Sequence, residues 1–251
     1  MPDTSPFIAS LWAGYRAGRQ AAADNKSGTS KDKLPCRRFA VAATWLCTLL
    51  REALSHEKLG FMALTRVMNN SGRKLAAAGL PCISFDASPW GGGGIIWFDG
   101  EPKLYTHFVW ADHTLSVLKA RVGDHRHQTI FEFFTLFLVA VTFQKVLESI
   151  GATILGDNLA SLSEALNMKS TKPEMNTISR EIAWRRIVRE WQYSVRHLPA
   201  EMNDEADCLS RLQAPRDNRK DFPVALLRAK YMPSPSQEAS LWRARIQMKT
   251  S

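Results

Sequence analysis

Cys82-Ile83-Ser84-Phe85-Asp86-Ala87-Ser88-Pro89-Trp90-Gly91-Gly92-Gly93-Gly94-Ile95-Ile96-Trp97-Phe98-Asp99-Gly100 is the stretch on which the fold turns. Residues 82–85 have the composition of a buried strand and run straight into Asp86. The next eight residues, with one proline and four consecutive glycines, read as a turn with a flexible hairpin bend. Ile95-Ile96-Trp97-Phe98 is a second apolar strand. Asp99-Gly100-Glu101-Pro102 is a hairpin turn, and residues 104–110 form a third strand. Three antiparallel strands in a meander are the expectation.

Downstream the pattern changes period. Residues 112–128 are polar and read as a loop with a short helix. Residues 131–150 predict a strong helix, with Leu136, Val139, Phe143 and Leu147 on one stripe and Gly151 ending it. A short strand over 152–155 precedes Asp157-Asn158, which opens a helix through about 167. A helix over 174–191, a strand over 193–198 and a helix over 204–212 follow. The order βββ-α-β-α-α-β-α predicts an α/β fold: one mixed five-stranded sheet with helices on both faces. Upstream, residues 1–34 read as a flexible leader or linker. Residues 35–79 form a helical segment on the spacing of Phe39, Ala42, Ala43, Leu46, Leu49 and Leu50. Residues 213–251 read as a basic tail containing several prolines.

The chain has 251 residues and a formal net charge of +9. Charge is unevenly placed. Residues 1–74 hold 12 Lys/Arg against 5 Asp/Glu, residues 75–179 hold 7 against 10, and residues 180–251 hold 14 against 9. An acidic middle between basic flanks suits a protein that holds cations on carboxylates and phosphates on its surroundings. The four cysteines, Cys36, Cys47, Cys82 and Cys208, have neither C-x-x-C nor zinc-finger spacing. They are expected to be reduced thiols of an intracellular protein. The start has no basic n-region and no apolar h-region, so no signal peptide is expected. The most apolar run, residues 131–143, is too short to span a bilayer and contains Glu132, so no membrane association is expected.

Four acids sit at the edges of expected elements: Asp86 at the end of the first strand, Glu132 in the first turn of the long helix, Asp157 capping the next helix, and Asp207 in the first turns of the last. Each has an ordinary structural explanation. Asp86 suits a turn start, Asp157 an N-cap, Glu132 the helix dipole, and Asp207 a solvated face. If the four converge they form an all-oxygen nest suited to Mg²⁺ or Mn²⁺ rather than zinc.

In order and context these pieces resemble the ribonuclease H domain of reverse transcriptases from eukaryotic retroelements, of the DIRS-like and related kinds. The likeness runs over residues 80–212. It rests on Phe85-Asp86-Ala87-Ser88 with its glycines, Glu132, Leu155-Gly156-Asp157-Asn158, His197-Leu198-Pro199-Ala200-Glu201-Met202-Asn203 and Ala206-Asp207-Cys208-Leu209-Ser210-Arg211. The last two resemble the signature H-[IV]-P-G-x-x-N-x-x-A-D-x-L-S-R, with Leu198 and Ala200 as departures. The resemblance implies a two-metal-ion endonuclease that cuts the RNA strand of RNA–DNA hybrids. Asp86 would bridge both Mg²⁺ ions, Glu132 and Asp157 would complete one site and Asp207 the other. His197 would assist proton movement or product release, although a strand-end histidine bonded to backbone explains it equally. Asn203 would orient its loop or touch the substrate.

Other nucleic-acid contacts are expected from Asn158, from Ser88, from Trp90 as a stacking platform, and from Arg185, Arg186 and Arg189 as a phosphate-tracking ridge extended by Arg243, Arg245 and Lys249. The plainer alternatives are a core tryptophan and a solvated basic helix face. A polymerase domain upstream is the implied partner. None of the tyrosines sits in a Y-x-D-D signature, so the chain should not polymerise DNA alone, and residues 35–79 would be a thumb or connection remnant. His113, His125 and His127 with Asp112 and Asp124 have no recognised zinc-ligand spacing. Two other readings remain open: an inactive nucleic-acid-binding module of the same fold, and a DDE-type transposase or integrase, which does not need a glutamate at the Glu132 position.

Overall fold

The computed structural model describes residues 79–168, 170 and 172–240, with residues 11, 12, 43, 44, 46–48 and 51. Most of the expected leader and upstream helical segment, and Arg243, Arg245 and Lys249, lie outside the described residues.

The meander is present as β1 (Cys82–Ser88), β2 (Gly91–Phe98) and β3 (Glu101–Val109), both pairs antiparallel. It is followed by α1 (Asp112–Leu118), α2 (Gln128–Thr142), α3 (Gln144–Ser149), β4 (Ala152–Gly156), α4 (Leu159–Asn167), α5 (Pro173–Val188), β5 (Tyr193–His197) and α6 (Asp204–Arg211). β4 runs parallel to β1, and β5 parallel to β4. The architecture is the expected mixed α/β sheet, with a sixth strand, β6 (Lys230–Tyr231), giving the order β5-β4-β1-β2-β3-β6. β6 pairs parallel to β3. Residues 213–240, expected as tail, therefore include sheet. Leu226 is buried with Ile95, Ala206 and Leu209, and the Gln237 amide bonds the Val109 carbonyl and the Ala111 N–H. A short α7 (Gln237–Ser240) closes the described chain.

The four glycines are strand, not bend. Gly91 to Gly94 pair with Ser88 to Phe85 on one side and with Val109 to Thr106 on the other. Side chains alternate across a strand. A Cβ at Gly92 or Gly94 would collide with Thr135 or Val139 of α2, and one at Gly93 with Leu209 of α6. The run lets helices on both faces press onto the centre of the sheet. α2 packs on β1 and β2 and against α4 and α5, while α6 covers the other face of β1 and β2.

That position explains α2. It lies between the sheet and two helices, so every residue from Ile130 to Val141 is buried, Glu132 among them. An apolar circumference is what a helix enclosed on all sides requires. The helix begins at Gln128, three residues earlier than the sequence pattern indicated, which moves Glu132 out of the first turn. It breaks at Phe143 before α3.

Candidate metal-binding cleft

The candidate site lies where the parallel strands β1 and β4 reach their carboxyl ends, the place where open α/β sheets form a crevice. Asp86 projects from β1 next to the point where pairing with β4 stops, and Asp157 is the first residue after β4. α2 brings Glu132 to the same spot. One carboxylate oxygen from each of the three lies within 4.8 Å of the others. Asp207, on α6, lines the same cleft of about 430 Å³, together with Gln128, Asn158, Asn203, Asp204, Arg211 and Lys220.

Each acid is held differently. Asp86 is 5% exposed and accepts a 2.7 Å bond from the Ser210 hydroxyl. Glu132 is 3% exposed, and its Oε1 accepts from the Gln128 amide at 2.8 Å. The same Gln128 nitrogen donates to the Ala87 carbonyl at 2.6 Å, tying helix to strand beside the acid. Asp157 was expected to cap α4, but Asn158 does so, accepting from the Ser161 N–H. Asp157 is therefore free of capping duty. Both oxygens of Asp207 are engaged, Oδ1 by Arg211 Nε at 2.6 Å and Oδ2 by Lys220 Nζ at 2.7 Å.

The electrostatics divide the cleft in two. Burial, with Asp207 and Asp157 nearby, pushes the Asp86 carboxyl up to about 7 against the Ser210 bond and Arg211. Burial, then Asp86 and Asp157, drives Glu132 well above the usual carboxylate range. On the other side burial also raises Asp207, but the bonds from Lys220 and Arg211 outweigh it and leave its carboxyl low. Among the described residues, ion pairs form at Asp207 and not at the other three acids, where Arg211 acts on Asp86 only from a distance.

This donor set fits a hard divalent cation. Glu132 Oε2 and Asp157 Oδ1 are buried without a hydrogen-bond donor, and all the available ligands are oxygens. No other group of metal-ligating side chains is found among the described residues. Of the histidine-rich segment, Asp124 instead pairs with Arg126 and His127 and starts a short 3-10 turn.

His197 is exposed at the end of β5, in register with Gly156 and so beside the strand end that carries Asp157. Asn203 is buried; its amide donates to the Phe85 carbonyl, fastening the loop before α6 to β1. Ser88, expected to touch nucleic acid, is fully buried. Its hydroxyl donates to the Ser210 carbonyl and accepts from the Trp90 and Gly91 N–H groups, so its role is to join β1 to α6. Trp90 is half-buried with its ring edge-on to His125. The expected arginine ridge is not continuous. The Arg185 guanidinium lies over Phe137 and Trp191 and that of Arg186 over Tyr193, both side chains being half-buried, while Arg189 is exposed. Gln128 and Lys220 were missed. Gln128 had a readable signal, being four residues before Glu132 on one helix; Lys220 had none.

No protein-family model and no curated protein sequence matches this chain. Among solved structures it is similar to the ribonuclease H1 of the halophilic archaeon Halobacterium salinarum, at 16% identity and a TM-score of 0.37, covering 52% of this chain and 94% of that one. It is also similar to LC11-RNase H1, isolated from compost by a metagenomic approach, at 17% identity and a TM-score of 0.40, covering 52% of this chain and 92% of that one. No helix among the described residues is long and apolar enough to cross a membrane.

Proposed function

We propose that the chain is a metal-dependent endonuclease of the ribonuclease H type, hydrolysing the RNA strand of RNA–DNA hybrids. The observation that carries this is the gathering of Asp86, Glu132 and Asp157, from three separate parts of the chain, into one group in which Asp86 and Glu132 are buried and Glu132 Oε2 and Asp157 Oδ1 have no donor. Asp86, Glu132 and Asp157 would hold one Mg²⁺ or Mn²⁺ ion, and Asp86 with Asp207 a second. Bound ions would supply a water acidic enough to attack a phosphodiester and would stabilise the departing oxygen.

The chain's own residues supply the rest. Ser210 and Gln128 fix the orientation of Asp86 and Glu132. His197, exposed beside the Asp157 strand end, would exchange protons with solvent and product. The hybrid would be recognised through its backbone and 2′-hydroxyls with little base preference, and Arg189 with the basic C-terminal stretch offers phosphate contacts. The His197–Arg211 signature supports an origin in a retroelement reverse-transcriptase polyprotein, with a polymerase domain upstream as partner and action inside the cell.

The test is cleavage of a labelled RNA–DNA hybrid in Mg²⁺ or Mn²⁺. Wild type should cut only the RNA strand, and Asp86→Asn should lose more than about a hundredfold in rate, beyond the roughly 10–100-fold cost of changing a group that only orients a metal ligand. Equal rates would end the assignment. A second reading, a binding module that does not cut, draws on the engagement of both Asp207 oxygens by Arg211 and Lys220. Hybrid binding without turnover in either metal would select it. Strand transfer on duplex DNA would select the transposase reading, against which the approach of Glu132 to Asp86 stands.

A further inference from the structure

Lys220 belongs to the segment after α6 that the sequence pattern made a tail, yet it reaches into the cleft. It is not a loose surface lysine. Ala214 is buried on one side of it and Leu226 on the other, and Phe222, two residues on, packs edge-on against Tyr105 of β3 at 5.3 Å. Held between these anchors, its ammonium stands 2.7 Å from Asp207 Oδ2 and 2.7 Å from Asp204 Oδ1. Arg211 occupies the other Asp207 oxygen. Among the described residues the three-acid group forms no ion pair, and Glu132 Oε2 and Asp157 Oδ1 are buried without a donor.

We propose that Lys220 is a tethered counter-cation that competes with a second divalent ion for Asp207. It follows that ions fill the cleft in two stages of unequal affinity. The inference rests on the metal-dependent reading above. The first ion meets Asp86, Glu132 and Asp157 with no ion-paired ammonium or guanidinium to displace. A second ion engages Asp207 only as the ammonium gives up its contact and swings wholly onto Asp204, which is 68% exposed at its side chain and can keep it. Lys220 thereby keeps the Asp207 side compensated while the cleft is without substrate. Once displaced, its charge lies next to the cleft, where phosphate oxygens of a bound strand would pass. An ordinary partly exposed ion pair would contribute little to stability and would leave metal affinity untouched.

The experiment is titration of the full chain with Mn²⁺ in the absence of nucleic acid, followed by the paramagnetic resonance of free Mn²⁺ and by calorimetry. Wild type should show one strong and one weaker binding event. Lys220→Met should tighten the weaker event by about tenfold or more, the order of one surrendered charge-assisted contact, and shift the stronger by less than about twofold. Lys220→Arg should restore the wild-type pattern. Asp204→Asn, which removes the alternative anchor, should weaken the second event. If Lys220→Met is too unstable to purify, Lys220→Gln makes the same measurement. A second event unchanged or weakened in the neutral variant overturns the proposal and leaves the metal-dependent reading standing. Identical Mn²⁺ binding by wild type and Asp86→Asn overturns both.

Discussion

Replacing Asp86 by asparagine should abolish hydrolysis and at the same time stabilise the metal-free protein. The carboxyl is 5% exposed and lies near Asp157 and Asp207, and its pKa is raised from 3.8 to about 7. At ~1.4 kcal/mol per pK unit this corresponds to about 4 kcal/mol by which ionising Asp86 destabilises the folded state at pH above 7. Asparagine keeps the acceptor that Ser210 uses, and its amide can donate toward the orphaned oxygens of Glu132 and Asp157. A gain of about 2–4 kcal/mol is expected without divalent ions, or roughly 5–15 °C in Tm for a domain of this size.

The pH dependence has a definite sign. Because the folded-state pKa lies above the unfolded one, the folded protein binds more protons between about pH 4 and 7, and stability falls as pH rises through that window. Glu132, raised for the same reason, adds in the same direction. The assay is thermal and urea unfolding of both proteins in EDTA from pH 5 to 8. The wild type should lose stability across the range, and the variant should change less and lie above it at pH 8. Adding Mg²⁺ at about a hundred times its Kd should return about 2.7 kcal/mol to wild type by mass action and little to the variant. A metal-free Asp86→Asn protein no more stable than wild type at pH 8, or a wild type that gains stability with rising pH, refutes the electrostatic account of the cleft.

Gly93→Ala places a methyl against the Leu209 Cβ on α6, where the helix backbone cannot yield; urea denaturation should show a loss of about 1–3 kcal/mol. A neutral effect would mean the glycine run is not there for close packing. Gln128→Ala removes the donor to Glu132 Oε1 and the tie to Ala87, and calorimetry should show Mg²⁺ affinity reduced about 10–100-fold. Unaltered affinity would reduce Gln128 to a bystander. Leu226→Ala should cost about 2–5 kcal/mol, because Leu226 is buried under the sheet with Ile95 and Leu209. A true tail residue would cost nothing measurable by the same denaturation.

What the sequence made legible is chemistry held in short local patterns. The strand running into Asp86, the Gly156-Asp157-Asn158 turn and the His197–Arg211 signature each lie within a few residues, and the βββ-α-β order follows from changes of period. What stayed hidden depends on partners far along the chain. Four glycines in a row look like a bend because no side chain announces a strand, and only α2 and α6 pressing from both faces make the absence of Cβ atoms a packing requirement. Arg185 and Arg186 look like a phosphate ridge until Phe137, Trp191 and Tyr193 are placed beneath them. The buried bond from Ser88 to the Ser210 carbonyl was equally hidden, since the two residues are 122 positions apart.

The case of residues 213–240 is the most consequential. Prolines and scattered basic residues give no periodicity, so nothing local foretells that β6 pairs with β3 or that Phe222 and Leu226 seat on the sheet. Yet this segment delivers Lys220 to the acid that the signature marks most clearly. The motif therefore supplies Asp207 and one counter-charge, Arg211, while the second counter-charge comes from a part of the chain that carries no motif. A protein sharing the His197–Arg211 pattern but lacking an anchored cation at the Lys220 position would have the same carboxylates and a different balance between the two sides of the cleft. Grafting or removing that one charge is thus a sharper probe of the site than altering any residue the signature names.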